Sequence, residues 1–324
     1  MRSLSLAIGF RKAGYDIVFA LHNQFGKQFL QQNDFSIYEI EQSEPENEAL
    51  QLVKIIAENS FGIIIIDNYQ INDTYFKYLK DTGASICYLD DLHLKEWKVD
   101  LLINCNINAK EKKYSFFPER KLLLGPRYSI LREEFTNLPK KKISNHVKNI
   151  LVMAGGTDLH TLSAKITRLV LDSTKSKDIQ IRVIKGLSAD TELTDIEKEF
   201  KNVKVYELPS KVSEHMIWAD ICISAGGTTL NELLATGTPT LSFIIAQNQE
   251  LIQQYASNSG YIISAGWYMD MFEKKLVEGL QQLVDHYEIR CKLSERGQRL
   301  IDGLGTYRII NEVEKEKENG RASN

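Results

Sequence analysis

The residues with the most chemical potential form one run, Ile223-Ser224-Ala225-Gly226-Gly227-Thr228-Thr229-Leu230-Asn231-Glu232. The mostly apolar residues 219–223 read as a buried strand. A Ser-Ala-Gly-Gly turn follows, and residues 228–236 keep helical spacing up to Gly237. A strand that passes through glycines into a helix N-terminus makes an anion site. The glycines let the backbone come close, the first N–H groups lack helical partners, and the helix dipole favours negative charge there. A diphosphate suits it, with Ser224, Ala225, Gly226, Gly227, Thr228 and Thr229 around the phosphates. Glu232, one turn into the helix, is placed to accept hydrogen bonds from ribose hydroxyls. A plain capped strand-to-helix connection would use the same residues, so the flanking sequence has to decide.

A second glycine turn, Gly155-Gly156-Thr157-Asp158, follows a strand at 149–153 and opens a helix expected at 159–171. Gly155, Gly156 and Thr157 would help surround a phosphate or the substrate, with Asp158 as helix N-cap. Two such turns after two strands of one sheet point to a nucleotide. Asn248, in the segment Ala246-Gln247-Asn248-Gln249, lies past a strand at 239–245, at the edge where ligands bind in open α/β sheets. It can serve a sugar or a reacting water, or cap the helix at 250–258. Asp67-Asn68-Tyr69 closes an apolar strand, and Asp90-Asp91-Leu92-His93 closes another, so both point to one edge of the first half. Carboxylates beside His93 invite an acid–base or metal reading. For Asp91 and His93 the preferred assignment is loop capping and solvation. The sequence has no HExxH, no CxxC, no Walker A motif and no GxGxxG, and no metal or other cofactor is expected. Arg127 and Arg132, in the segment after residue 124, are equally placed for a phosphate or for carboxylates.

The elements that position these residues alternate between strand and helix, which predicts an α/β protein with parallel sheets. Strands are expected at 17–21, 36–40, 62–67, 85–89, 101–104 and 121–124, then at 149–153, 179–184, 203–207, 219–224, 239–245 and 261–263. Helices are expected at 47–59 and 73–81, and a helical segment at 271–313 with breaks near Gly303 and Gly305. A polar, Lys-rich stretch around 141–148 reads as a linker. It separates a first Rossmann-like domain (1–140) from a second (149–316), with a polar tail at 317–324. Two such domains would face a cleft.

With 324 residues the chain can build two cores, and a net charge of −3 gives no electrostatic reason for nucleic acid as a partner. No apolar run is long enough to span a bilayer, and four scattered cysteines without metal spacing suit a reducing cytoplasm. The oligomeric state is not legible. The chain opens with an amphipathic helical pattern (Leu4, Leu6, Ala7, Ile8, Phe10), where a doubly wound domain normally opens with a strand.

Several segments together resemble the UDP-2,4-diacetamido-2,4,6-trideoxy-β-L-altropyranose hydrolases of pseudaminic acid biosynthesis and related spore coat polysaccharide proteins. They are Ile66-Asp67-Asn68-Tyr69, Leu89-Asp90-Asp91-Leu92, Asn104-Cys105-Asn106-Ile107-Asn108-Ala109, Leu124-Gly125-Pro126-Arg127-Tyr128, both glycine turns and Asn248-Gln249. Wider relatives are GT-B glycosyltransferases such as the MurG-like enzymes. The resemblance implies a GT-B-like pair of Rossmann-like domains, with UDP held mainly by the second and a UDP-sugar as substrate. Tyr69 and Asn248 would match active-site positions, and the reaction would be metal-independent hydrolysis at the anomeric carbon. It also implies an opening strand and a Gly-x-Gly-His turn just before a segment like Met1–Ala7, whose histidine activates water. This sequence has no such turn, and His22 does not match the position. The first strand of the first domain is therefore expected to be missing, and loss of a general base costs ~100- to 10,000-fold in rate. The alternatives are a GT-B glycosyltransferase acting on a UDP-sugar and a non-catalytic nucleotide-sugar binder.

Overall fold

The structure, a computed structural model, describes residues 2–22, 26–109, 114, 121–156, 158, 161–174, 178–186, 191–269 and 271–322, with side chains described as far as 315. The chain divides into two compact units, one comprising Met1–Arg132 with Leu304–Asn324, the other Glu133–Gly303.

The first unit contains helices α1 (Arg2–Lys12), α2 (Lys27–Gln31), α3 (Pro45–Asn59) and α4 (Asp73–Lys80). Its strands are β1 (Val18–Leu21), β2 (Ser36–Glu39), β3 (Ile63–Ile66), β4 (Ser85–Leu89), β5 (Leu101–Asn104) and β6 (Lys121–Leu124), and it also holds the C-terminal helix, Gly305–Ala322. All its strand pairs are parallel. They form two sheets, β1-β2 and β3-β4-β5-β6. Helix α1 packs against both: Leu6 and Phe10 join the core of the larger sheet with Leu89, Ile103 and Ile309, while Ala7 meets Leu30 and Phe35 beside the smaller one. Gly9 lets α1 approach the C-terminal helix, since a methyl group there would fall 2.7 Å from Thr306 Cγ2. Helix α3 starts two residues before the expected 47, with Pro45 in the first turn and Glu46 and Glu48 complementing the dipole. It stops at Ser60 in the left-handed region.

The second unit runs β7 (Asn149–Met153), α5 (Leu162–Ser173), β8 (Gln180–Lys185), α6 (Glu192–Glu199), β9 (Val203–Glu207), α7 (Val212–Trp218) and β10 (Ile221–Ala225). It continues α8 (Thr229–Thr236), β11 (Thr240–Ile244), α9 (Glu250–Asn258), β12 (Ile263–Trp267), α10 (Phe272–Asp285) and α11 (Tyr287–Leu300). Its six strands lie in the order β12-β11-β10-β7-β8-β9, all parallel. Strands β10 and β11 are buried throughout, as continuous apolar runs covered on both faces should be. The order reverses between β7 and β10, so these neighbours flank the topological switch point, where doubly wound sheets place ligands.

Three expectations change. Helix α5 begins at Leu162, three residues later than its periodicity suggests, because Asp158 and Thr161 take positive φ values of 41° and 50°. The C-terminal helical segment also breaks at His286, whose backbone is extended between α10 and α11. The last helix reaches Ala322, well into the stretch read as a polar tail.

Candidate functional site

In the second unit both glycine turns lie at the switch point, because β7 and β10 are register partners (Val152 with Ile223, Met153 with Ser224). The turns differ in what they leave open. After β7, Gly155 takes φ +105°, a conformation suited to glycine. The buried carboxylate of Asp158 then accepts from the N–H groups of Leu162 (2.9 Å) and Ser163 (3.2 Å). The N-terminus of α5 therefore already holds an anion of the protein's own. Thr157 lies outside the described residues.

After β10, Ser224, Ala225 and Gly226 are buried, whereas Gly227 and Thr228 are exposed and Thr229 is half-buried. The Gly226 N–H is spent on Phe243 O at 2.9 Å. Within the first turn of α8, Leu230 N–H bonds Gly227 O and Asn231 N–H bonds Thr228 O. The N–H groups of Gly227 and Thr228 meet no protein acceptor among the described residues, and the Thr228 side chain makes no cap. Unlike α5, α8 thus presents open donors and the positive end of its dipole. Glu232 is half-buried in its first turn. Asn248 is exposed in a short 3-10 turn, Gln247–Gln249, beyond β11, at the same sheet edge.

Two residues that shape these turns escape sequence reasoning. Gln253, fully buried on α9, donates to Ser242 Oγ (2.9 Å) and Phe243 O (2.5 Å) and accepts from Ser264 Oγ (3.1 Å). It lies so close to Gly226 that a Cβ there would stand 2.1 Å from its Nε2. Gly186, just past β8, lies against the first turn, and a Cβ there would meet Gly156 O at 2.2 Å. The burial of Gln253 appears only in the folded unit. Gly186 gave no sequence signal.

In the first unit, the three residues after β3 each reach a different partner. Asp67 takes the Arg2 guanidinium through Nε (3.2 and 3.1 Å) and Nη2 (2.5 Å), and Ser3 donates its hydroxyl to the same carboxylate. Asn68 donates to the buried Glu48 at 3.0 Å. Glu48 also accepts from Tyr75 (3.2 Å) and lies 3.8 Å from His22 Nδ1. The Tyr69 hydroxyl donates to Asp91 Oδ2 at 2.5 Å, and Arg2 Nη1 reaches that same oxygen at 2.5 Å. Burial opposes the charge on Arg2, but the hydrogen bonds and charges of Asp67 and Asp91 outweigh it and raise its pKa. Burial likewise opposes ionisation of Asp67, and Arg2 and Ser3 outweigh it, leaving its pKa below the usual carboxylate value. Burial, then the hydrogen bond and charge of Asp91, push Tyr69 up to about 12.

The two aspartates after β4 thus separate in role. Asp90 is buried and structural: it accepts from the N–H groups of Leu92 (3.1 Å) and His93 (2.8 Å) and from the Tyr114 hydroxyl (2.9 Å). Asn104 donates to that hydroxyl, and Asn106 holds the Asp91 carbonyl at 3.0 Å. Asp91, read from sequence as a loop cap, instead joins Arg2 and Tyr69. His93 packs against Tyr114 and lies 3.3 Å from Glu96. Arg127 is exposed over the Tyr128 ring, 5.2 Å from its centroid. Among the described residues no group of three or more His, Cys, Asp or Glu side chains is arranged to hold a metal ion, and no helix is long and apolar enough to cross a membrane.

Residues 149–298 match the glycosyltransferase family 28 C-terminal domain. The chain is 27% identical to the UDP-2,4-diacetamido-2,4,6-trideoxy-β-L-altropyranose hydrolase of Campylobacter jejuni, over 65% of this chain and 76% of that protein. It is 24% identical to the spore coat polysaccharide biosynthesis protein SpsG of Bacillus subtilis, over 58% of this chain and 54% of that one. An uncharacterized protein of Methanocaldococcus jannaschii is 27% identical over 76% of this chain, which spans only 52% of that protein's length. Among solved structures, MurG of Acinetobacter baumannii superposes with a TM-score of 0.71, covering 97% of this chain and 95% of that chain at 10% identity. The resemblance read from the motifs is borne out by these relatives, and the α/β, GT-B-like fold of two Rossmann-like units by the MurG likeness.

Proposed function

We propose that this chain is a nucleotide-sugar hydrolase. Its substrate would be UDP-2,4-diacetamido-2,4,6-trideoxy-β-L-altropyranose, in the synthesis of pseudaminic acid or a related surface polysaccharide sugar. The observation that carries most weight is the open N-terminus of α8 at the switch point, set against the self-capped N-terminus of α5. The diphosphate goes to Gly227, Thr228 and Thr229, with Gly155 and Gly156 lining the neighbouring turn. Ser224, Ala225 and Gly226 shape the approach, Glu232 takes the ribose and Arg127 a further phosphate contact. In the reaction, water oxygen bonds to the anomeric carbon, the bond from that carbon to the diphosphate oxygen breaks, and UDP leaves with the electron pair. The attacking water gives up its proton to solvent. Oriented N–H groups and the α8 dipole meet the charge that develops on the departing diphosphate, a role a metal ion plays in other enzymes. Tyr69 and Asn248 are assigned to the sugar and the water. The names of the similar hydrolases support the choice of substrate.

Gly227→Asp tests the phosphate assignment. A Cβ at Gly227 meets nothing nearer than Gln249 Nε2 at 3.8 Å, so the side chain fits while placing a carboxylate at the N-terminus of α8. UDP affinity, measured by calorimetry, should fall at least ~10-fold through like-charge repulsion. Unchanged affinity would remove α8 from the site. The family 28 match and the MurG likeness favour a second reading, a glycosyltransferase on the same UDP site. UDP release that depends strictly on an added acceptor would establish it.

A further inference from the structure

The hydrogen bond between Tyr69 and Asp91 has a fixed direction. A carboxylate paired with Arg2 offers only acceptors and a guanidinium only donors, so the phenol must be the donor. Its single proton is then committed inward, at 2.5 Å from Asp91 Oδ2. What the half-exposed Tyr69 presents outward is an oxygen with lone pairs and no proton of its own to give. The supports of Asp91 keep this orientation. Arg2 Nη1 grips the same Oδ2 while its other nitrogens grip Asp67, and Asn106 ties the Asp91 backbone through its carbonyl. The raised pKa of Tyr69, to about 12, keeps the phenol protonated through the neutral range.

We propose that Asp91 is a positioning residue which makes Tyr69 a hydrogen-bond acceptor, so that the sugar carried by the nucleotide must present a donor there, an amide N–H or a hydroxyl. This rests on the assignment of Tyr69 to the sugar made above. It selects for sugars bearing N-acyl or free hydroxyl groups at that position and against a carboxylate or an ether, which cannot donate.

The test uses the full chain and two ligands, UDP and an inert analogue of the diacetamido sugar nucleotide with methylene in place of the glycosidic oxygen. Tyr69→Phe removes the acceptor while leaving both Arg2 ion pairs intact. It should weaken the analogue about 3- to 10-fold, the worth of one hydrogen bond, and leave UDP unchanged. Asp91→Ala frees the phenolic proton and should lose the same factor. The Tyr69→Phe/Asp91→Ala double variant should lose no more than either single change, because both act through one contact. Asp91→Asn keeps an acceptor oxygen for Tyr69 and Arg2 and should bind the analogue like the parent. A purely electrostatic partner of Arg2 would instead make Asn behave as Ala. The proposal is overturned if Asp91→Ala binds the analogue normally, if the two losses multiply, or if Asp91→Asn is as weak as Asp91→Ala. Failure of the parent chain to bind UDP at all would overturn the functional assignment itself, a result distinct from normal UDP binding without a Tyr69 effect on the analogue.

Discussion

Replacing Gly226 by alanine separates two reasons for a glycine that the sequence cannot distinguish. Gly226 is not among the residues with positive φ, so alanine is allowed by the backbone. What excludes it is Gln253, whose Nε2, Cδ and Cγ would lie 2.1, 2.7 and 2.7 Å from the new Cβ. Gln253 has nowhere to go: it is fully buried and bonded to Ser242, Phe243 and Ser264, tying β11 to β12 behind the turn. Overpacking costs about 1–3 kcal/mol, and each hydrogen bond that Gln253 gives up adds about 0.5–1.5 kcal/mol. A total of ~2–4 kcal/mol follows, which at ~2–4 °C per kcal/mol for a domain of this size lowers Tm by ~4–16 °C. UDP affinity should drop as well, because displacing Gln253 moves the turn. The Gly226→Ala/Gln253→Ala double variant removes the obstacle. If Gly226 serves only packing, the double variant binds UDP as well as Gln253→Ala alone. If its bareness also admits the phosphate, affinity stays low. Scanning calorimetry and UDP titration of the three variants decide this. A Gly226→Ala protein with parental Tm and affinity would refute the reasoning.

Gly186→Ala sets a methyl against the Gly156 carbonyl, a backbone atom that no side-chain rotation can clear, so UDP affinity should fall several-fold along with Tm. Titration calorimetry on this variant reads both the turn and its use. Arg290 is fully buried and donates to the carbonyls of Ser144, Asn145, Leu283 and Val284, so Arg290→Met strands four acceptors and should cost ~3 kcal/mol or more in urea melts. Lys141 donates to Met216 O and Ile217 O at the end of α7, and burial lowers its pKa from 10.5 to about 8. The unfolded chain holds this proton more tightly than the folded one. The penalty for the buried charge is therefore complete below pH 8 and fades as pH rises to 10.5. The parent should gain stability relative to Lys141→Met across that window, in urea melts at pH 7.5, 9 and 10.5. A constant difference would mean that Lys141 titrates normally.

How far the sequence carried the interpretation depends on the range of the interactions concerned. Most strands were legible, several to the residue (β4, β5, β6, β7 and β9), because buried parallel strands are written as apolar runs, and the edge strand β9 as an alternating one, between turn residues; β12, expected at 261–263, instead runs Ile263–Trp267. The glycine turns were legible for the same local reason. The cap that Asp158 makes after β7 was read from sequence as well, but that the N-terminus of α8 stays open was not, since no local pattern shows that the Thr228 side chain leaves it uncapped. Arg2, Asp67 and Asp91 meet across 65 and 89 residues of chain, and nothing in their local patterns foretells the meeting. Asp90 and Asp91 are neighbours of one type, yet one is a buried loop brace and the other a partner of Tyr69. Their alternation on emerging from β4 decides between them. Gly186 faces a backbone carbonyl from another strand's turn, a steric fact visible only once the sheet is assembled.

The most direct test of the central claim is to incubate this chain with UDP-2,4-diacetamido-2,4,6-trideoxy-β-L-altropyranose in buffer, with no acceptor and no added metal, and to follow UDP by anion-exchange chromatography. A nucleotide-sugar hydrolase releases UDP and free sugar in equal amounts above the uncatalysed rate, and Gly227→Asp abolishes the release. UDP that emerges only after an acceptor is supplied, or tight UDP binding with no release at all, would contradict it.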